Sequence, residues 1–330
     1  MASSDLAANN QNSKTMKNNY KLSFITAIYG VEPYIEKFTE SFLGQTSVEP
    51  GDVQFIFVND GTKDRSMEIV DRVIEEHFSH LKEHIVIINK ENAGLPQARK
   101  SGLDVATGEY ILFADSDDWL EPNVVAKVLA KAKETNADIV YFDFIKEYGH
   151  KQSVNHERNY TADMRDQWII NMFNYRAHGF VWTKCFRRSL YTQGTVYFPT
   201  LGMHEDKYLM VQIIPRAKVI VQLPEVLYHY RKDNSNAMCS QPRAMRHIES
   251  SRNMLHLYEK FMDNIAESPI RDVADSMILR AGWHHIIHKH DMYAEYPWLG
   301  QAIRKARVKN GYRTPLLFQI IVKCYNKIFH

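Results

Sequence analysis

From Leu22 onward, short apolar runs of strand length alternate with amphipathic stretches of helical period, and this alternation restricts the possible folds more than any other feature. Strand candidates are Leu22–Tyr29, Val53–Val58, Ile85–Ile88, Tyr110–Ala114 and Ile139–Phe144; helices fit Tyr34–Leu43, Arg65–Phe78, Pro96–Ala106 and Asn123–Thr135. Apolar strands joined by crossover helices predict an α/β chain with a mostly parallel sheet and flanking helices. The first four strand candidates each run into a polar cluster: Tyr29-Gly30, Asn59-Asp60-Gly61, Asn89 to Gly94, and Asp115 to Asp118. In a parallel sheet these four clusters meet along the carboxyl edge, where open α/β sheets bind ligands.

The fourth cluster carries the strongest chemical signal. Tyr110-Ile-Leu-Phe-Ala-Asp-Ser-Asp-Asp-Trp119 packs Asp115, Asp117 and Asp118 into four positions behind a buried strand. Hard oxygen ligands so placed suit Mg²⁺ or Mn²⁺ bridging to a diphosphate. Glu121-Pro122 then opens a helical pattern with proline in its first turn. Taken alone, the segment also reads as an Asp-rich turn capping that helix.

The chain has 330 residues, 45% of them apolar, enough for the core of one large or two linked domains. A net charge of +2 argues against a nucleic-acid partner. Cys185, Cys239 and Cys324 lie far apart with no C-x-x-C, which points to a reducing, cytoplasmic compartment. Met1 to Asn19 has no apolar core and reads as a disordered tail rather than a signal peptide. No stretch approaches the roughly 18 consecutive apolar residues of a membrane span.

After about residue 145 the rhythm changes. Glu147 to Asn159 reads as a surface loop, followed by a helix over Asp166–Tyr175, a helix over His204–Ile214, and short strands Val219–Leu223 and Val226–Tyr230. Beyond Pro242 the pattern is helical, near Arg243–Asn264, Ile270–Lys289, Trp298–Val308 and Pro315–Ile328. His284 and His288, one turn apart, could chelate a metal, but no third ligand is evident. The expected organisation is a tail over 1–19, an α/β domain over 20–235 and a C-terminal helical region over 236–330. Between Tyr296 and His330 there is no acidic residue, while Arg304, Lys305, Arg307, Lys309, Arg313, Lys323 and Lys327 alternate with apolar side chains. That is the composition of an interfacial helix on an anionic membrane; a helix packed on its own domain is the alternative.

The four strand-end clusters together resemble the family 2 glycosyltransferases of the GT-A fold, the bacterial capsule and cell-surface polysaccharide type. Phe24-Ile-Thr-Ala-Ile-Tyr-Gly30 with Glu32 is similar to the family's opening strand, although Ala27 and Gly30 depart from its usual Pro and Asn. Val58-Asn-Asp-Gly-Thr62 resembles V-D-D-G-S with Asn59 for the first Asp; Asn92-Ala-Gly-Leu95 with Ala98-Arg99 matches N-x-G-x-x-x-A-R. Phe113 to Trp119 resembles the D-S-D-D segment. The likeness continues, less tightly, through Trp182-Thr-Lys184, Glu205-Asp206, and Tyr228-His-Tyr-Arg231 with Ser235.

The resemblance implies an inverting, metal-dependent transferase that moves a sugar from a UDP-sugar to a hydroxyl of a surface glycan or lipid-linked acceptor. Asp60 would accept a hydrogen bond from the uracil N–H, Asp115 would bind the ribose, and Ala27, Tyr29, Glu32, Arg99 and Ser116 would complete the nucleotide site. Asp117 would ligate Mn²⁺ or Mg²⁺, with His229 as a further candidate ligand. Asp206 would be the base that takes the acceptor's proton, with Glu205 beside it. Each residue also has a plain structural reading: Asp60 holding the Gly61 turn, Arg99 solvated on a helix, His229 buried against the sheet, and Glu205-Asp206 favouring a helix N-terminus. An Asp-dependent phosphotransfer enzyme would carry its Asp-x-Asp after the first strand, whereas Asp115 follows the fourth. A non-catalytic glycan- or membrane-binding protein on the same scaffold is the other alternative, and intact Asp60, Asp117 and Asp206 speak against it. Such an enzyme would work in the cytoplasm, on the inner face of the membrane if the basic tail docks there.

Overall fold

The computed structural model describes residues 20–200, 203–235, 237, 242–261, 270–289, 291–308 and 315–329. The tail over 1–19, Cys239, Lys309 and Arg313 lie outside the described residues. Strand β1 (Leu22–Ile28) pairs in parallel with β2 (Val53–Asn59) on one side and β4 (Tyr110–Asp115) on the other, and β3 (Ile85–Asn89) adds in parallel beyond β2. The four predicted strand-end clusters therefore do meet on one edge.

Past β4 the sheet changes sense. Strand β8 (Lys184–Arg187) runs antiparallel to β4, β6 (Ile139–Tyr148) antiparallel to β8, and β9 (Ile220–Arg231) parallel to β6. Strand β5 (Trp119–Leu120) pairs antiparallel with β9, and β7 (Lys151–Asn155) with β6. The order across the nine-stranded sheet is β3-β2-β1-β4-β8-β6-β9-β5, with β7 beside β6. The sheet is thus mixed, which corrects the expectation of a mostly parallel one. Crossover periodicity reveals only strands joined by helices; β8 slips between β4 and β6 with four residues and no pattern of its own.

Three local expectations also change. The supposed loop over 147–159 contains a hairpin: β6 continues to Tyr148, turns at Gly149 (φ +66°) and returns as the exposed, polar β7. Polarity does not exclude a strand with both faces in solvent. The two short strands after Lys218 form one, β9, whose register shifts opposite Phe142–Phe144 to absorb Pro224 and Glu225. Pro122 lies outside helix α4 (Val124–Thr135), because the chain is still extended where β5 pairs with β9.

Helices α1 (Ile35–Leu43), α2 (Ser66–His77) and α4 cover one face through a core that includes Phe24, Phe38, Phe42, Phe57, Val70 and Val128. Helices α3 (Leu95–Val105), α5 (Arg165–Phe173) and α7 (Glu205–Ile213) cover the other over Ile25, Val58, Phe113, Trp168 and Tyr208. Gly102 sets the approach of α3: a Cβ there would lie 2.4 Å from Ile25 Cγ2. A short α6 (Ser189–Thr192) follows β8.

The C-terminal helices are α8 (Arg243–Phe261), α9 (Ile270–His288), α10 (Met292–Glu295), α11 (Leu299–Lys305) and α12 (Leu316–Phe329). They share a core built on Leu255, Ile278, Leu279, Leu299, Ile303 and Val322. Met254, Leu257 and Met277 instead join the core beneath α5 and α7, so α8 and α9 dock on that side of the sheet. Among the described residues no helix is long and apolar enough to cross a membrane.

Candidate active site

The carboxyl end of β2 presents Asp60, only 2% exposed. Its Oδ1 accepts from Lys90 Nζ (2.6 Å) and the Ala93 amide (3.0 Å), and its Oδ2 from the Gly94 amide (2.8 Å). Asp60 therefore fixes the loop between β3 and α3. Gly61 is required beside it: its φ is +73°, and a Cβ would meet the Asn92 nitrogen at 2.9 Å. At the end of β1, Glu32 accepts from the Arg65 amide (3.0 Å), Nε (2.9 Å) and Nη2 (2.6 Å), while Tyr29 is among the most exposed large side chains. Ser116 donates to the Ala27 carbonyl at 2.7 Å, locking the turn after β4 onto β1.

That turn is held from β9 as well. Tyr228 accepts from the Asp115 amide (3.0 Å) and donates to Asp118 (2.8 Å); the Arg231 amide donates to Asp118 (2.7 Å), and Asn234 donates to Asp117 (2.7 Å). Burial, then the charge of Asp115, pushes the Asp117 carboxyl above its ordinary range. Burial, then Asp117 and Asp115, pushes Asp118 well above it. The neighbouring carboxylates thus add to the cost of ionising Asp117 and Asp118, and a cation at Asp117 would relieve it. Among the described residues no three His, Cys, Asp or Glu side chains are grouped to hold an ion by themselves. A single committed carboxylate suits Mg²⁺ or Mn²⁺, which keep waters and take other positions from phosphate oxygens.

His229 stacks on Trp119 with ring centroids 5.0 Å apart. Its Nδ1 lies 2.8 Å from Glu147 Oε1 and its Nε2 2.9 Å from Glu121 Oε1. Both nitrogens are engaged, so ligating a metal would require the ring to leave one of the two carboxylates.

The centre of the site is Arg99 on α3. It is 1% exposed, not a solvated helix residue. Nη2 donates to Asp115 at 2.6 Å; Nη1 donates to Glu205 at 3.0 Å and Asp206 at 3.1 Å, both in the first turn of α7. Burial works against the Arg99 charge, but Asp115, Asp206 and Glu205 outweigh it and hold its pKa above the ordinary value. Burial raises Glu205, reinforced by Asp206 and opposed by Arg99. Burial also raises Asp206, with Arg99 opposing and Asp115 adding to the shift. The Asp206 side chain keeps 14% of its surface exposed against 8% for Glu205. Behind them Lys184, lowered to about 8 by burial, donates to the Phe180 carbonyl at 2.7 Å.

The structure therefore brings Asp115, Arg99, Glu205 and Asp206 into one network, with Ser116 and Asp117 in the adjoining turn and Asp60 at the end of β2, one strand beyond β1. Lys90, Asn234 and Tyr228 were given no individual role by sequence reasoning. Their partners lie 30, 117 and 110 or more residues away, and no short-range pattern marks such contacts.

Comparison with known proteins agrees with this fold. The family model described as glycosyl transferase family 2 matches residues 23–192, just over half of the chain. EpsH of Bacillus subtilis (strain 168) is 30% identical over 216 residues, covering 64% of this chain and 60% of that protein. The poly(ribitol-phosphate) beta-glucosyltransferase of Bacillus spizizenii is 28% identical over 64% of this chain and 32% of its own length, so this chain spans less than two thirds of either relative. The crystal structure of S. aureus TarS 1–349 in complex with UDP-GlcNAc superposes with a TM-score of 0.67 at 18% identity, covering 93% of this chain and 89% of that one. Mannosyltransferase PcManGT from Pyrobaculum calidifontis, in complex with GDP-Man and Mn²⁺, gives 0.51 at 16% identity over 94% and 87%. The structural likenesses show a shared GT-A-like fold, and with the family's sequence pattern running from β1 past β8, the chain belongs to glycosyl transferase family 2.

Proposed function

We propose that this chain transfers a sugar, with inversion, from a UDP-sugar to a hydroxyl of a cell-surface glycan or lipid-linked acceptor. The observation that carries the reading is the Arg99 bridge, which ties Asp115 on the nucleotide side to the acid pair Glu205 and Asp206. Asp206, the more exposed of the pair, takes the proton of the acceptor hydroxyl as its oxygen bonds to the anomeric carbon. The bond from that carbon to the diphosphate oxygen breaks on the opposite face. A pKa raised by burial suits a base that must work near neutral pH. Asp117 would hold Mn²⁺ or Mg²⁺, which when bound offsets the charge of the departing diphosphate.

Asp60 supports the uridine preference. Three donors occupy part of its acceptor capacity, and Oδ2 takes only one of them, leaving a position for a ring N–H. The complex of TarS with UDP-GlcNAc and the ribitol-phosphate polymer named for a relative point to the same donor nucleotide and acceptor class. UDP release from UDP-Glc, UDP-Gal, UDP-GlcNAc and UDP-GalNAc with Mn²⁺ tests the activity, and calorimetry with UDP and GDP tests the base preference. UDP should bind more tightly than GDP and lose affinity with a chelator; equal affinities, or indifference to chelator, would count against the site as drawn.

A second observation bears on location. Helix α12 buries Gln319, Val322 and Asn326 against its own domain while Leu317, Ile320, Ile321, Ile328 and Phe329 face outward. A helix that leaves these five apolar side chains outward, in a region with no acidic residue from Tyr296 to His330, suits docking on an anionic membrane. On this reading the enzyme works at the inner face of the membrane, close to lipid-linked acceptors.

A further inference from the structure

The acid pair opens α7, and the residue just before it is held in an unusual way. His204 has a left-handed backbone, φ +62° and ψ +24°, and its side chain does not cap the free amides of the helix. For a residue with a Cβ this conformation is uncommon and persists only where surrounding contacts impose it. Tyr175, just after α5, makes an edge contact with the His204 ring at 6.0 Å between centroids, and α8 supplies hydrogen-bonding contacts. His204 Nδ1 lies 2.5 Å from Ser250 Oγ, the Met203 carbonyl accepts from Asn253 Nδ2 at 2.6 Å, and the Tyr208 hydroxyl lies 3.3 Å from His256 Nδ1. Ser250 and Asn253 are buried, 6% and 2% exposed. Residues 250, 253 and 256 follow one another at three-residue spacing and so form one stripe along α8.

The first turn of α7 is thus gripped twice. Arg99 holds the carboxylates of Glu205 and Asp206 from the sheet side, and the α8 stripe holds the backbone and side chains at 203, 204 and 208 from the other. Neighbouring residues on a helix point about 100° apart, so a modest rotation of α7 would carry Asp206 away from where Glu205 and Arg99 now set it.

We propose that Ser250 and Asn253 on α8 are positioning residues for the transfer step: through His204 and Met203 they fix the rotation of α7 and so the aim of the Asp206 carboxylate. The C-terminal helices then contribute to catalysis through α7 and are not only an attached region. This rests on the reading of Asp206 as the base.

The test uses the full chain with Ser250→Ala, which deletes one hydroxyl, and Ser250→Thr, which keeps it. Ser250→Ala should lower kcat on the order of tenfold, as small misplacements of a reacting group do. The donor KM and Mn²⁺-dependent UDP affinity should be unchanged. It should also move the acid limb of the pH–rate profile, because Asp206 shifts relative to Arg99, and speed hydrogen exchange at the amides of residues 205–209. Ser250→Thr should restore all of these. Should Ser250→Ala melt early, His204→Asn replaces it, since Asn tolerates the left-handed backbone and is too short to reach Ser250; the same pattern is expected. Unaltered kcat, a parallel loss of UDP affinity, or no rescue by Thr overturns the proposal. Asp206→Asn, run alongside, separates the two claims: if it keeps transfer, the base assignment fails. The exchange rates of Ser250→Ala still decide whether α8 holds α7, and unchanged exchange refutes that.

Discussion

At the scale of single residues, Asp206 and Asp117 are both half-buried carboxylates with raised pKa values, yet they answer to different partners. Asp206 faces Arg99, and Asp117 sits among Asp115, Asp118 and Asn234. Asp206→Asn keeps shape and removes basicity, so metal-dependent UDP binding should stay near wild type while transfer falls by on the order of 10²–10⁴-fold. Asp117→Asn should damage binding and transfer together, because it takes charge from the position proposed for the cation. Calorimetry and turnover on the same two proteins check the contrast, and loss of UDP binding in Asp206→Asn would move attention to Glu205. The wild-type kcat/KM should rise with pH along an acid limb above the ordinary aspartate range, since burial raises Asp206 and the base must be deprotonated to act.

At the scale of elements, the pairing of α8 with α9 carries its own titration. The sequence offers His284 and His288 one turn apart; the structure adds His247 from α8, whose ring stacks on His284 at 4.5 Å and whose Nδ1 lies 3.1 Å from His288 Nε2. Ser251 on α8 lies 2.6 Å from His284 Nδ1. Burial, then the charges of His247, Arg280 and His288, lowers His284 to about 3 from the 6.5 of an exposed imidazole. Below about 6.5 the unfolded chain takes up a proton that the folded chain refuses, so stability is lost as pH falls from there toward 3. The slope is at most about 1.4 kcal/mol per pH unit for one proton. Thermal melts at pH 7.5 and 5.5 should differ for the wild type and differ less for His284→Gln; equal slopes would show that another group governs the acid response.

For the whole molecule, the outward apolar stripe of α12 predicts an address. The intact chain should sediment with anionic vesicles, less so as salt screens its exposed cations. Leu317→Gln, Ile320→Gln and Ile328→Gln together should abolish sedimentation and leave the melting temperature unaltered, because all three side chains are exposed. Binding that ignores both salt and these substitutions would favour a different surface.

Apart from the two-residue β5, the order of strands and α-helices up to residue 144 was legible in the sequence because local periodicity and strand-end polar clusters are local properties. So were the identities of the acidic residues along the carboxyl edge, carried by short motifs. The tertiary structure alone decided the mixed sense of the sheet, since β8 has no periodic signal and is placed by pairing on both sides. It decided that Arg99 is buried among three carboxylates, 16 to 107 residues distant in sequence, rather than solvated on α3. It also decided that His204 is clasped by α8. Each of these depends on which surfaces meet once the core closes, and pairwise contacts between distant side chains leave no trace in the local spacing of residues.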